Sequence, residues 1–239
     1  MSKYDVYLYE GSHVLRNLLN IQDEKELDLA EAELSRANMM VLYENGFSDF
    51  SAHGVSEIHR ILFEDVYEWA GKFRVINIQK REDILGGKSV WYSDCDSIEG
   101  DLEKIFDEIN QVDWKHITKN EFVSETVKFF SRIWRVHPFR EGNTRTVTML
   151  IAFFVESHGY YFDHELISKS AGYFRNALVM ASLDQFSEYE YLENILSDAI
   201  STEPIETEVN QCISEERSEK YKKYKSENYR PTSHEYIDK

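Results

Sequence analysis

Cysteine, proline and glycine are scarce in this chain of 239 residues, which contains 2, 3 and 10 of them respectively. Cys95 and Cys212 stand alone, with no CxxC pair, so the sequence excludes a disulfide scaffold and a zinc site built from thiolates. Two isolated thiols are typical of a reducing compartment. The shortage of glycine and proline argues against collagen-like chains, linkers and all-β folds with many turns.

Positive charge and long apolar runs are also in short supply. The chain has 27 Lys and Arg against 44 Asp and Glu, a formal net charge of −17. Nucleic acids and anionic membranes bind proteins through a positive face, so neither is expected as a partner. The longest apolar run, residues 149–155, is far shorter than the roughly 20 residues that span a bilayer. No basic segment followed by an apolar run opens the chain, so we expect no secretory signal and a cytoplasmic location.

Helix-forming sequence is abundant through most of residues 1–202. Apolar residues recur three and four positions apart, for example after Leu27, and Thr118 and Glu121 form a capping box ahead of another apolar stripe. The pattern predicts one mainly α domain over residues 1–202, with helices already in its N-terminal part. Residues 203–239 are rich in charge and contain almost no aliphatic residues, so we expect a tail that is partly helical or disordered.

One stretch departs from the helical pattern. Val75 and Ile76 suit a short strand, Gly86 and Gly87 suit a tight turn, and residues 90–92 suit a return strand. The residues therefore predict a β-hairpin. Such a hairpin either connects and packs on the helices or lies over a site and offers an edge strand to a partner. The residues alone favour the first interpretation.

Residues 137–146, with the sequence HPFREGNTRT, lie between two apolar helical segments. Pro138 disfavours helix at the histidine before it, and Asn143 is a good N-cap for the helix that follows. The segment is therefore predicted to be a loop that leads into a helix N-terminus, where free N–H groups attract anions. Arg140 and Arg145 add positive charge on either side. In so acidic a chain, this arrangement predicts a phosphate or carboxylate ligand.

Three side chains of this loop have complementary chemistry. His137 can act as a general base near neutral pH. Glu141 can bind a hard cation such as Mg²⁺, and Arg145 can hold phosphate oxygens through several donors. Together they fit phosphoryl or nucleotidyl transfer. Spacing alone leaves open the alternative of a connecting loop in which the histidine and the helix cap are structural.

The loop closely resembles the signature of the Fic/Doc family, His-x-Phe-x-(Asp/Glu)-Gly-Asn-(Gly/Lys)-Arg-x-x-Arg. Residues 7–17 and 58–74 are also similar to segments of family members, so the resemblance covers roughly residues 5–200. The residues that match the signature are His137, Phe139, Glu141, Gly142, Asn143 and Arg145.

This resemblance implies a Fic-like helical bundle with one β-hairpin flap over the active-site loop. It implies an enzyme that uses ATP and Mg²⁺ to transfer AMP to a Tyr, Ser or Thr hydroxyl of a target protein, and of itself. His137 would be the catalytic base, Glu141 would bind the metal, and the hairpin between Gln79 and Tyr92 would hold the target by strand addition. The predicted nucleotide contacts are Arg140, Gly142, Asn143, Thr144 and Arg145.

Members of the family that are toxins are restrained by small antitoxin proteins. The resemblance therefore allows an antitoxin as a further partner, and it also allows a second copy of this chain. Other members carry an inhibitory glutamate with Ser or Thr four residues earlier. The nearest match here is Glu193 with Tyr189 in that place, so we interpret Glu193 as part of a solvated helix face.

Two positions depart from the family signature. Thr144 stands where AMP-transferring members have glycine and the Doc kinase branch has lysine. Thr148 stands where AMP-transferring members have a second arginine that contacts the γ-phosphate. The absence of this second arginine removes a charge-assisted contact worth about 1.5–3 kcal/mol. A Doc-like kinase that transfers the γ-phosphate to a target protein, and a catalytically weak module that binds a nucleotide and a partner, therefore stay open as alternatives.

Overall fold

The computed structural model describes residues 5–205 and 215–231. Cys212 and part of the tail predicted over residues 203–239 fall outside the described residues. The described part is mainly helical, as predicted, and none of its helices is long and apolar enough to cross a membrane. The helices are α1 Glu24–Asn45, α2 Ala52–Phe63, α3 Ile98–Asn110, α4 Lys119–Val136, α5 Asn143–Ser157, α6 His164–Lys169, α7 Ala171–Ala181, α8 Glu190–Ala199 and α9 Glu215–Lys223.

Helix α4 is central to the fold and packs against α3, α5, α7 and α8. The predicted capping box is present, since Thr118 and Glu121 exchange side-chain and backbone hydrogen bonds at the start of α4. Phe130 and Trp134 of α4 are completely buried. Helices α1 and α2 pack on each other, and α2 also packs on α5. Neighbouring helices therefore hold the end of α4 and the start of α5 in place. The loop between these two helices belongs to the segment of residues 137–146, for which the sequence predicts a ligand site.

A two-stranded antiparallel sheet pairs the residues that follow α5 with the residues that follow α8. Strand β1, Tyr161–Phe162, pairs with β2, Ile200–Ser201, and Tyr161 lies opposite Ser201. This sheet is remote in sequence from the predicted hairpin.

The predicted hairpin strands are not formed. Residues 75–93, which we call the flap, reverse direction at Gly86 and Gly87 as expected, and the Glu82 N–H donates to the Lys88 carbonyl across the turn (3.0 Å). The rest of the flap forms no β-ladder: Val75 and Ile76 lie in a bend, and Asp83–Leu85 form a 3-10 turn just before the glycines. The reason is the buried guanidinium of Arg74, which donates to the carbonyls of Ile76 (2.8 Å) and Ser93. A side chain thus satisfies backbone groups that cross-strand pairing would otherwise satisfy.

The C-terminal segment contributes to the core, contrary to the expectation of a tail that buries little. Helix α9 lies in this segment. Tyr224 and Tyr229 are buried and pack edge-on against Tyr173 of α7. This segment has almost no aliphatic residues to bury, and it buries aromatic ones instead.

Replacing Tyr224 tests whether this segment is docked. It is 1% exposed, and its hydroxyl lies within hydrogen-bond distance of two acceptors, the Asn194 carbonyl (2.8 Å) and the Asp198 carboxylate (2.6 Å). We expect Tyr224→Ala to lower the free energy of unfolding by about 3 kcal/mol or more, because it leaves a cavity. Tyr224→Phe, which removes only the hydroxyl, should cost about 1 kcal/mol. Urea unfolding measures both, and a loss below about 0.5 kcal/mol for Tyr224→Ala would contradict the docking.

Candidate active site

A small polar cavity of about 100 Å³ lies where the loop of residues 137–142 meets the N-terminus of α5. Every residue of the predicted site except Arg140 lines it. Two basic residues that the sequence analysis missed complete the lining, Lys80 from the flap and Arg175 from α7. The cavity therefore brings together a histidine, a carboxylate and several cationic side chains.

His137 ends α4 in the left-handed conformation (φ 51°, ψ 57°) and is completely buried. Its Nδ1 lies 3.3 Å from the Trp134 carbonyl, which can only accept, so this nitrogen carries the proton of the neutral ring. Nε2 has no hydrogen-bond partner among the described residues. The ring stacks on Tyr92 of the flap, with 3.9 Å between centroids. Tautomer and orientation together leave the Nε2 lone pair available as a base.

The electrostatic surroundings keep His137 neutral. Burial lowers the pKa of the imidazole well below its ordinary value, and the charges of Lys80 and Arg175 lower it further. Glu141 acts in the opposite direction but does not outweigh them. The ring is therefore ready to accept a proton at neutral pH.

Glu141 is ionised and held by the flap. One carboxylate oxygen lies 2.7 Å from Lys80 Nζ, and the other accepts the Gly142 N–H at 3.1 Å. Burial alone would raise the pKa of this carboxyl, but the Lys80 ammonium and the Gly142 N–H lower it to about 2. The group is a permanent anion at one side of the cavity.

Arg145 is oriented from behind by the N-terminal helices. Its guanidinium pairs with the buried Glu31 of α1, donates to Ser35 Oγ (2.7 Å), and lies 4.7 Å from the ring centre of Phe63. Glu31 also accepts the Tyr67 hydroxyl. The arginine that faces the cavity is thus fixed by three groups outside it.

Asn143 is the first residue of α5, and its predicted role as the N-cap is wrong. The cap position belongs to Gly142, and among the described residues no side chain caps the helix, so its first N–H groups are available to an anion. Asn143 instead bridges the loop, with Oδ1 accepting the Phe139 N–H (2.9 Å) and Nδ2 donating to the Phe139 carbonyl (2.8 Å). The amide closes the loop around the cavity.

Arg140, which is predicted to contact the nucleotide, is not among the residues that line the cavity. Its Nε donates to the Asp5 carboxylate (2.9 Å), which belongs to the N-terminal segment packed beside the loop. The carboxylate of a distant segment takes this arginine as its counter-charge, and no local pattern in the sequence predicts that contact.

Comparison with known proteins identifies the family. The sequence model of the Fic/DOC family matches residues 49–155. The probable protein adenylyltransferase y4lH of Sinorhizobium fredii is 34% identical over 163 residues, which cover 66% of this chain and 79% of that protein. This chain belongs to the Fic/DOC family.

Other relatives agree with this assignment. The protein adenylyltransferase VbhT of Bartonella schoenbuchensis is 27% identical over 206 residues, which cover 81% of this chain and 42% of that longer protein. The structure of BepC from Bartonella tribocorum, solved with bound AMPPNP, superposes with a TM-score of 0.72 at 22% identity and covers 85% of this chain. The Fic fold is thereby confirmed.

The structure also places Thr148, Glu193 and the two basic residues that the sequence did not indicate. Thr148 uses its hydroxyl within α5, where it donates to the Thr144 carbonyl (2.8 Å). Glu193 accepts from Ser124 Oγ (2.8 Å) and is not among the residues that line the cavity. Arg175 and Lys80 escaped the sequence analysis because they lie far from the loop in sequence. The available signal for Arg175 was its place as the one charged residue of α7.

Gly142 tests the packing of the Fic loop. Its φ is +80°, and a Cβ at this position would overlap the ring of Phe63. Gly159 has a similar φ of +84° with open space around it, so Gly159→Ala isolates the backbone strain, about 1–2 kcal/mol. We expect Gly142→Ala to lower the free energy of unfolding by about 1–3 kcal/mol more than that control, because the ring must move. Equal losses in urea unfolding would show that the loop can shift away from Phe63.

Proposed function

We propose that this Fic protein is a protein adenylyltransferase that transfers AMP from ATP to a Tyr, Ser or Thr hydroxyl of a target protein, and of itself. The observation that carries the proposal is the convergence of a neutral His137, an ionised Glu141 and two arginines on one cavity at a helix N-terminus. The names of the relatives y4lH and VbhT support the same activity.

The positive charge and the volume of the site suit a nucleoside triphosphate. Arg145, Arg175 and the N-terminus of α5 offer positive charge for a chain of phosphates. A second cavity of about 550 Å³ shares Arg175 with the first and is bounded by Asn176 of α7 and by Ser226. A space of that size is ordinary for a small-molecule site and has room for a ribose and a base.

The reacting proton goes to His137. In the proposed step, Nε2 takes the proton of the target hydroxyl as its oxygen bonds to the α-phosphorus. The bond between the α-phosphorus and the bridging oxygen breaks, and pyrophosphate leaves. The Trp134 carbonyl holds Nδ1–H, and the stacked Tyr92 holds the plane of the ring. Both contacts fix the base before the substrate arrives.

Glu141 fits the role of the Mg²⁺ ligand. Mg²⁺ in nucleotide sites usually takes one or two carboxylates and completes its shell with phosphate oxygens and water. The Glu141 carboxylate is ionised beside the cavity, and its present partner, the Lys80 ammonium, occupies the place of a cation. When bound, the metal would neutralise charge on the phosphates.

The target is proposed to lie along the flap. The flap backbone forms no β-ladder of its own, and Trp91 is 80% exposed, so an extended segment could add beside it through backbone hydrogen bonds. The proposed location is the cytoplasm, where both ATP and reduced thiols are found.

Mass spectrometry of lysate proteins tests the reaction and finds the target. Wild type should add one AMP to hydroxyl side chains, and His137→Ala should add none. His53→Ala is the matched control, because His53 is an exposed histidine paired with Asp49 at the surface. Label from γ-labelled but not α-labelled ATP would replace this function with the Doc-like kinase. ATP binding without any transfer would replace it with a binding module.

The pH profile tests the state of the base. His137 works as the neutral imidazole, and its lowered pKa extends that form to lower pH. We therefore expect the acid limb of kcat/KM, which reports the free enzyme, to lie below the ordinary histidine value of about 6.5. Lys80→Met removes one of the charges that lower this pKa, so it should move the limb upward. A wild-type limb at or above about 6.5 would contradict the assignment.

A further inference from the structure

The position of the second signature arginine is occupied by Thr148, whose hydroxyl is engaged within α5. A different arginine reaches the same cavity from another helix. Arg175 of α7 lines the cavity, and its Nη1 lies 3.2 Å from Thr144 Oγ1 at the start of α5. A guanidinium is therefore present beside the anion site, although it comes from outside the signature.

Thr144, the other departure from the signature, holds this guanidinium in place. Its Oγ1 receives the Arg175 Nη1–H and also lies 3.0 Å from Trp134 Nε1, which donates to it. Glycine at this position would provide no such acceptor. The two departures, Thr144 and Thr148, are thus linked through one residue.

Glu82 of the flap is the counter-charge of Arg175. The two carboxylate oxygens lie 2.8 and 3.1 Å from Arg175 Nη2, and the Glu82 side chain is only 6% exposed. The Tyr92 hydroxyl also lies 3.4 Å from this carboxylate. A phosphate that approaches Arg175 meets a guanidinium already bound to an anion, so phosphate and Glu82 compete for it.

We propose that Arg175 binds the terminal phosphate of ATP in place of the missing arginine, and that Glu82 holds Arg175 until the nucleotide displaces it. The inference rests on the proposed function, since it takes ATP as the ligand. It adds a phosphate-binding residue outside the signature, a positioning role for Thr144, and a link between the flap and nucleotide affinity. A structural ion pair with no role in binding is the opposing interpretation.

Calorimetry with ATP and AMP on the full chain separates the two interpretations. Arg175→Ala should weaken ATP binding about tenfold or more, because a charge-assisted contact to the terminal phosphate is lost. AMP lacks that phosphate, so its affinity should change less than about twofold. Thr148→Arg, added to Arg175→Ala, should restore part of the ATP affinity, because it returns a guanidinium to α5. A merely structural role would not discriminate between the two nucleotides.

The flap residue supplies an independent arm. Glu82→Gln should strengthen ATP binding severalfold in the wild-type background and have no effect when Arg175 is alanine. Arg132 and Glu108 give matched controls, because this ion pair joins α4 to α3, and Arg132 is 37% exposed like Arg175 but does not line the cavity. Arg132→Ala and Glu108→Gln should leave ATP affinity unchanged.

Three outcomes would overturn the inference. One is equal loss of ATP and AMP affinity in Arg175→Ala. Another is an effect of Glu82→Gln that persists without Arg175. The last is no ATP binding by either wild type or Glu82→Gln. The proposed function fails separately, if wild type shows the expected affinities but transfers no AMP. Conversely, AMP transfer by wild type with normal ATP binding by Arg175→Ala removes the inference and leaves the function.

Discussion

The buried guanidinium of Arg74 is the contact on which the geometry of the site depends. Its Nε donates to the His137 carbonyl (2.9 Å), while Nη1 and Nη2 donate to carbonyls at the two ends of the flap, Ile76 and Ser93. The Arg74 N–H also donates to the Pro138 carbonyl (2.8 Å). Burying a charge is costly unless its donors are satisfied, and here backbone oxygens of two segments satisfy them. One side chain therefore joins the flap to the loop of residues 137–142.

This arrangement divides the flap into an anchored base and a tip. The base is bound to Arg74, and it carries Tyr92, the ring that stacks on His137. The tip is closed by its own turn at Glu82 and Lys88 and carries Lys80 and Glu82, whose contacts with the cavity are ion pairs. His137 is thus held by the fixed part of the flap. The groups that a ligand must displace are on the part that Arg74 does not hold.

The loop of residues 137–142 could be predicted as part of a site because its residues are contiguous and their chemistry is local. His137, Glu141 and Arg145 all line the cavity as expected, and the capping box of α4 is formed. Arg175 was not predictable, since its contact with Thr144 joins helices that are distant in sequence. The same holds for Arg140, whose partner Asp5 lies at the other end of the domain.

The predictions for the flap and for the tail differ from the structure for another physical reason. Strand propensity in the flap assumes that backbone groups find cross-strand partners, but Arg74 competes for the carbonyls. The tail was predicted to bury little because it lacks aliphatic residues, yet Tyr224 and Tyr229 supply buried aromatic surface, and the Tyr224 hydroxyl also finds acceptors. In the flap, the Arg74 side chain takes the place of cross-strand hydrogen bonds. In the tail, tyrosine side chains take the place of an aliphatic core.

The charges of the cavity explain how so acidic a protein can accept a polyanion. Glu141, Arg145 and Arg175 are each already paired, with Lys80, Glu31 and Glu82 respectively. Glu31 is buried in α1 and also holds Tyr67, so it is a permanent partner. Lys80 and Glu82 belong to the flap tip and have opposite signs. If both side chains left the cavity together, its net charge would stay the same. The Glu141 carboxylate would then be free to bind a cation, and the Arg175 guanidinium would be free to bind a phosphate. Under the proposed function, binding of a metal-bound triphosphate would be an exchange of ion pairs, in which a cation takes the place of Lys80 and a phosphate takes the place of Glu82.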